Sequence, residues 1–421
     1  MDHFEYKKGE LYAENIAISE IAKKVGTPFY CYSSATLTHH YKVFSDAFKS
    51  IPTLICFAVK ANSNVAVLKT LAKLGSGADT VSEGEIRRAR KAGIPAKKIV
   101  FSGVGKTKKE MRYALKEGVG QFNVESKEEL FALNDVAKSL KKKAPVAIRV
   151  NPDVDAGSHD KISTGRKTDK FGVEWDNVLD LYEKAKDLKN IKIIGVTTHI
   201  GSQLTELTPF KKAFDKIVGL VEALRRQGHE IKKLDLGGGL GIPYKDGGKT
   251  PPHPQEYAKM IVEMIKHLKC ELVLEPGRLI AGNAGILVSE VVFLKDTPAR
   301  KFLVIDAAMN DLMRPSLYDA FHEIIPVLEP EKQVAQEVVD VVGPVCETTD
   351  VFGRNRMIPI LNSSDLIAIR SSGAYGAVMS NTYNSRPLIA EVMVKGKEFA
   401  VIRKRQTYSQ LLNLDKIPSW V

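Results

Sequence analysis

The sequence predicts an α/β protein, a (β/α)8 barrel joined to an all-β C-terminal domain that takes in the N-terminal strand. Three observations carry this. Eight short β-branched runs alternate with amphipathic helical stretches between residues 53 and 278. Each run finishes in a polar group or glycine turn that chemistry can use. After Gly282 the texture changes to β-rich runs with little helix between them. Strand–helix alternation argues for a parallel sheet, and eight such units fit a barrel, whose usual size is roughly 250 residues. Periodicity alone leaves a doubly wound open sheet possible. The polar run ends decide for the barrel, because the carboxyl ends of barrel strands form its catalytic face.

In chain order, TPFYCYS (27–33) is a strand candidate ahead of the barrel. The barrel runs are TLICFAVKAN (53–62), holding Lys60, GADTVSEGE (77–85), holding Asp79, and IVFSG (99–103), holding Ser102. QFNVES (121–126) holds Asn123 and Glu125, PVAIRVNP (145–152) holds Arg149, and IIGVTTHIGS (193–202) ends in His199 and Ser202. KKLDLGGGLG (232–241) carries Gly237, Gly238 and Gly239, and LVLEPGR (272–278) carries Glu275, Gly277 and Arg278. Helix-period stretches lie between most of them, at 106–117, 126–140, 176–188 and 208–227. The later β-runs are ILVSEVVFLK (286–295), KFLVIDA (301–307), QEVVDVVGPV (336–345), DLIAIRS (365–371), LIAEVMVKG (388–396) and EFAVIRKR (398–405). The expected domains are a barrel over 36–282 and a β-barrel or sandwich built from 1–35 and 283–421. The stretch 153–172, rich in Gly, Ser and Lys, is a candidate lid.

The bulk composition narrows the function classes. Of 421 residues, 44% are hydrophobic and 27% charged, an ordinary globular balance. A formal net charge of +12 raises the question of nucleic acid. The basic residues are spread along the chain, however, and the densest run, Lys141 to Lys143, follows a helical pattern as a solvated helix end would. No aromatic-interleaved basic stretch accompanies it, so no nucleic-acid partner is expected. No apolar run reaches membrane-helix length, and MDHFEYKKGE does not read as a leader. Cys31, Cys56, Cys270 and Cys346 have no C-x-x-C or metal-ligand spacing, and read as reduced thiols with no metal site. The expectation is a cytoplasmic protein acting on a small molecule.

The strand-end residues define the chemistry. A lysine at a strand end can simply reach solvent, whereas at a barrel mouth partial burial makes its amine a nucleophile. Glycines after strand seven let backbone N–H groups approach phosphate oxygens without an intervening Cβ, and barrels commonly bind phosphate there. Pyridoxal phosphate needs a lysine anchor, a phosphate cradle and an anion at its pyridine nitrogen. Lys60, the glycine triplet and Glu275 supply all three. His199 either stacks on the ring or is a hydrogen-bonded core histidine. Asp79 either hydrogen-bonds near the ring or caps the helix starting at Ser82.

Taken together, FAVKAN (57–62), GADTVSEGE, RVNPDVDAGSHDKISTG (149–165), KFG (170–172), HIGSQ (199–203), DLGGGLG (235–241) and EPGR resemble the fold-type III pyridoxal-phosphate decarboxylases. AMNDLMRPSLYDAFH (308–322), GPVCETTD (343–350) and SSGAYGAVMSNTYNSRP (371–387) resemble the diaminopimelate decarboxylase branch of that family. The resemblance covers about residues 28–395. It implies that Lys60 anchors the cofactor, His199 stacks on its ring, and Glu275 meets the pyridine nitrogen. It assigns Ser202, Gly237 to Gly239, Gly277 and Tyr375 to the phosphate. It implies Cys346 as proton donor, delivered with Glu347 from the partner subunit of a homodimer. Arg278, Arg314, Tyr318, Glu347 and Tyr375 correspond to substrate-binding positions. Departures are small: Phe57 stands where Tyr is common, Ala307 and Ala308 where a Gly is frequent, and Thr348 and Thr349 replace smaller residues.

The far end of the substrate separates the choices. Ornithine or lysine would end in a bare ammonium, whereas diaminopimelate ends in an ammonium and a carboxylate. Arg278 and Arg314 suit that carboxylate, and Glu347 the ammonium. The expected reaction is decarboxylation of meso-diaminopimelate to L-lysine. Decarboxylases of D-lysine, D-ornithine or carboxynorspermidine, and a catalytically silent regulatory homologue, are the alternatives.

Overall fold

Eight parallel strands close into a barrel in the order the sequence predicts. The computed structural model describes residues 2–155, 164–245, 247, 250–331 and 333–421. The barrel strands are Thr53–Ala58, Gly77–Thr80, Ile99–Phe101, Gln121–Val124, Ala144–Arg149, Ile191–Thr197, Lys233–Asp235 and Glu271–Leu274. Closure comes from the last strand pairing parallel with the first, Leu272 to Thr53 and Leu274 to Ile55. Cys56, Val100 and Val273 pack together with Leu54 as a small apolar cluster of the barrel strands.

The observed strands stop short of the runs read from sequence, because the last residues of each run turn outward as loop or helix start. GADTVSEGE is strand only to Thr80. The Ser82 side chain then accepts from the Glu85 N–H and opens the helix Glu83–Lys91, an N-cap satisfying an otherwise unpaired donor. The helix Lys108–Glu117 has a full capping box, with Thr107 and Glu110 bonding each other's backbone N–H, and it stops at left-handed Gly118. The helix Lys127–Ser139 buries Leu130, Leu133, Val136 and Ala137 on one face, the spacing of an amphipathic helix. Lys141 to Lys143 just beyond it are exposed, the solvated end expected.

The chain divides into two compact units, one of residues 38–243 and 249–280, the other of 1–37, 244–248 and 281–421. The second unit is built on a mixed sheet. Its main path runs Val351–Pro359, Gln336–Val342, Lys301–Ile305, Gly285–Asp296, Phe29–Ser33, Ala390–Lys395, Glu398–Arg403. The N-terminal strand does join this sheet: Phe29–Ser33 lies antiparallel to Gly285–Asp296 and parallel to Ala390–Lys395. Phe29, Cys31, Ile286, Val288, Val392 and Val394 share its core with Ile18 and Ile21.

Three features went unread. The first is an antiparallel sheet of Phe4–Lys7, Glu10–Ala13 and Ile16–Ala17. The others are the strands Ile324–Pro326 and Val351–Pro359. Val351–Pro359 carries Arg354, Asn355 and Arg356 in its middle, which breaks the alternation that marks a strand. It forms by pairing antiparallel with Gln336–Val342 at the end of the sheet. The candidate lid at 153–172 lies partly outside the described residues, which omit 156–163.

Candidate active site

Lys60 follows the first barrel strand in a single 3-10 turn, Val59–Ala61. Its Nζ lies 2.6 Å from Asp79 Oδ2 at the end of the second strand. The lysine side chain keeps 39% of its exposure while Asp79 is fully buried. Of the two roles left open for Asp79, the cap falls to Ser82 itself, and Asp79 is the partner of the lysine. The other carboxylate oxygen of Asp79, Oδ1, is buried without a hydrogen-bond partner.

Two further carboxyls are buried. Glu275 follows the eighth strand and Asp235 ends the seventh. Asn123 donates through Nδ2 to Asp235 Oδ2 at 3.2 Å and to Glu275 Oε1 at 3.3 Å, and Gln121 Nε2 donates to Asp235 Oδ2 at 2.8 Å. Gln121 and Asn123 stand two residues apart on one strand, so both point to the same face. Burial pushes the Asp235 carboxyl up to about 6. Burial, with Asp235 and Asp79 close by, holds Glu275 well above the usual carboxylate range. Charged carboxylates are costly to bury, so a positively charged group beside Asp235 and Glu275 would be stabilised there.

His199 follows the sixth strand. Its Nδ1 accepts from the Gly238 N–H at 3.2 Å, which leaves the ring proton to Nε2. Burial, reinforced by Arg149 and Lys60, holds its pKa well below the ordinary value, so the ring is neutral. Gly237 adopts φ +66° and Gly239 φ +116°, conformations open chiefly to glycine. A Cβ on Gly238 would sit 2.3 Å from the Glu275 carbonyl oxygen. The glycines therefore permit the close approach of backbone to backbone that this loop requires. The Gly237 N–H donates to Asp235 Oδ1 at 3.0 Å and the Gly238 N–H to His199 Nδ1. Arg278, after Gly277, is buried and donates through Nη2 to Ser202 Oγ at 3.1 Å.

The remaining expected residues belong to the other unit. Arg314 opens the short helix Arg314–Tyr318 and is buried. Its Nη1 lies 2.7 Å from His322 Nε2, and its Cζ lies 4.6 Å from the Tyr244 ring centroid. Glu347 accepts from the Tyr383 hydroxyl at 2.6 Å and from Thr349 Oγ1 at 3.0 Å, bonds that lower its pKa. Cys346 is exposed, with its N–H donating to Asn384 Oδ1, while Cys31, Cys56 and Cys270 are buried and their thiols pushed up by desolvation. Tyr375 sits at φ 56°, a left-handed conformation that costs a non-glycine residue of order 1 kcal/mol and clusters at functional sites.

Sequence reasoning passed over Asp235, Gln121, Glu85 and His322. Asp235 had a readable signal, a carboxylate on the strand end immediately before the glycine triplet. Glu85 had none: it lies in the first turn of a helix, yet burial, with Asp79 nearby, pushes it up to about 7.

These residues fit pyridoxal phosphate. Lys60 would hold it through its amine, and the glycine loop admits a group without a Cβ in the way. A protonated ring nitrogen at Glu275 would bring positive charge to the buried Asp235 and Glu275 carboxyls.

Comparison with known proteins agrees. Residues 34–282 match the family model described as pyridoxal-dependent decarboxylase, pyridoxal binding domain. The fold and site thus define a pyridoxal-phosphate-dependent decarboxylase. The chain is 50% identical to the diaminopimelate decarboxylase of Zymomonas mobilis over 421 residues, 99% of each chain. It is also 50% identical to that of Vibrio cholerae, again over 99% of each. A crystal structure of diaminopimelate decarboxylase from M. jannaschii in co-complex with L-lysine is 39% identical with a TM-score of 0.94, covering 99% of this chain and 98% of that one. The chain belongs to the diaminopimelate decarboxylase family.

Proposed function

We propose that this protein decarboxylates meso-diaminopimelate to L-lysine and CO2, in lysine biosynthesis, as a cytoplasmic homodimer with shared active sites. The observation that carries the reading is the Lys60–Asp79 pair in a barrel that also holds the buried carboxyls of Asp235 and Glu275. The names of the full-length relatives support the substrate, as does the lysine-bound M. jannaschii structure. In this reading residues 36–282 are the cofactor-holding barrel, and 1–35 with 283–421 the β-domain.

When bound, pyridoxal phosphate supplies an electron sink for the pair of electrons left at Cα as CO2 departs. The chain does the rest. Lys60 would hold the cofactor through its Nζ and would give up that place to the substrate amine. Glu275 would keep a proton at the ring nitrogen, stabilising charge where it develops. Neutral His199 would pack against the ring without adding a competing positive charge. Ser202, Arg278, Gly237 to Gly239, Gly277 and Tyr375 would hold the phosphate. Arg278 and Arg314 pair with the distal carboxylate, Glu347 with the distal ammonium, and Tyr318 lines the substrate. Cys346 Sγ returns a proton to Cα as general acid.

The exposure of Cys346 on a single chain supports its delivery to another copy. Among the described residues no helix is long and apolar enough to cross a membrane.

The test is to assay the purified protein with pyridoxal phosphate on meso-diaminopimelate, following CO2 and L-lysine. D-lysine, D-ornithine and carboxynorspermidine are run in parallel. Stoichiometric CO2 and L-lysine from diaminopimelate is the expected result. Turnover of only a diamine-ended substrate would overturn it.

A further inference from the structure

We propose that His322 is a positioning residue that holds the Arg314 guanidinium in the pose that pairs with the distal carboxylate of the substrate. The inference rests on the role given to Arg314 above and goes a step beyond it. His322 is fully buried and Arg314 nearly so. His322 Nδ1 lies 2.8 Å from the Arg370 carbonyl oxygen, and its Nε2 lies 2.7 Å from Arg314 Nη1.

A carbonyl only accepts and a guanidinium only donates. The first contact requires the ring proton on Nδ1, and the second requires a bare lone pair on Nε2. A single neutral tautomer meets both demands, so the backbone at Arg370 sets which nitrogen faces the arginine. Geometry does the same from the other side. The Tyr244 ring lies 4.6 Å from the Arg314 Cζ, and it meets the His322 ring edge-on at 5.4 Å and 78°. The guanidinium is thus held by a hydrogen bond at one nitrogen and by an aromatic face.

The chain between the two residues makes this possible. The helix Arg314–Tyr318 ends at Asp319 in a left-handed conformation, φ 50°, which turns the chain so that His322 returns beside Arg314. An arginine has four side-chain torsions, and bidentate pairing with a carboxylate needs its plane fixed. Fixing it before the substrate arrives removes that entropy cost from binding. His322 itself touches no reacting atom in this reading.

The probe is L-lysine, the product, which keeps the distal carboxylate, compared with 1,5-diaminopentane, which has no carboxylate. Binding of each to the pyridoxal-phosphate-loaded protein is measured by calorimetry for wild type, His322→Asn, His322→Gln and Arg314→Ala. Asn keeps a donor for the Arg370 carbonyl and loses the acceptor for Arg314, whereas Gln can place an oxygen where Nε2 stood. The expected result is that His322→Asn weakens L-lysine about tenfold or more, the worth of a hydrogen bond to a charged group. The same variant leaves 1,5-diaminopentane unchanged, and His322→Gln recovers most of the loss.

Wild-type lysine affinity in His322→Asn, or equal weakening of both ligands, overturns the proposal. Wild-type lysine affinity in Arg314→Ala instead overturns the reading of Arg314 on which it rests. Should His322→Asn fail to fold, His322→Ala is measured with and without added imidazole. Restored lysine affinity supports the proposal, and no restoration overturns it.

Discussion

Lys60 shows how little a residue's identity means before its neighbours are known. A lysine after an apolar strand is unremarkable, and the Asp79 carboxylate at 2.6 Å is what keeps it at the barrel mouth. The same holds for Arg314, whose guanidinium is sheltered by His322 and Tyr244. Arg314→Ala should lower kcat/KM for diaminopimelate by about a hundredfold or more, roughly the 2.7 kcal/mol of a lost charge-assisted pair. Unchanged steady-state kinetics would refute the assignment. Asp311 offers a test of stability. It is buried, accepts from the Ala308 N–H, and burial raises its carboxyl from 3.8 to about 7. The folded state therefore holds this proton more tightly than the unfolded state. Stability from this group is complete at low pH and is lost as pH rises from about 3.8 to about 7. Asp311→Asn should flatten that part of the stability–pH curve, by up to about 4 kcal/mol, as read from urea unfolding at a series of pH values.

At the scale of elements, the strand ends and the loop after strand seven do most to shape the site. The run KKLDLGGGLG contributes only three residues of strand, Lys233–Asp235, and then a glycine turn packed against the end of strand eight. Gly238→Ala would set a Cβ 2.3 Å from the Glu275 carbonyl oxygen, which is rigid backbone. The expected outcome is weaker retention of pyridoxal phosphate on gel filtration and a loss of about 1–3 kcal/mol in stability, as overpacking costs. Retention and stability equal to wild type would show that the close approach is dispensable. The eight barrel strands were legible because a buried parallel strand is a short β-branched run with a polar end. Their exact ends were not, since a serine such as Ser82 reads equally as strand residue or helix cap until its hydrogen bond is seen.

For the whole molecule, each chain bears both kinds of residue, the barrel lysine and the exposed Cys346. If two copies share their sites, mixing subunits of Lys60→Ala with subunits of Cys346→Ala should restore roughly a quarter of wild-type activity. Half of the randomly exchanged dimers are mixed, and each mixed dimer has one intact site. No recovery after exchange would place both groups in one chain. The sequence by itself determined the barrel, the return of Phe29–Ser33 to the later sheet, and the cofactor, because periodicity and strand-end chemistry are local signals. Only the tertiary structure decided the partners: Asp79 for Lys60, Asp235 and Asn123 for Glu275, His322 for Arg314. Residues such as Asp235 and Gln121 stand 114 positions apart in the chain. No local pattern records that separation; the closing of the barrel brings them within hydrogen-bond distance, where burial raises a carboxyl such as Asp235 above its ordinary range.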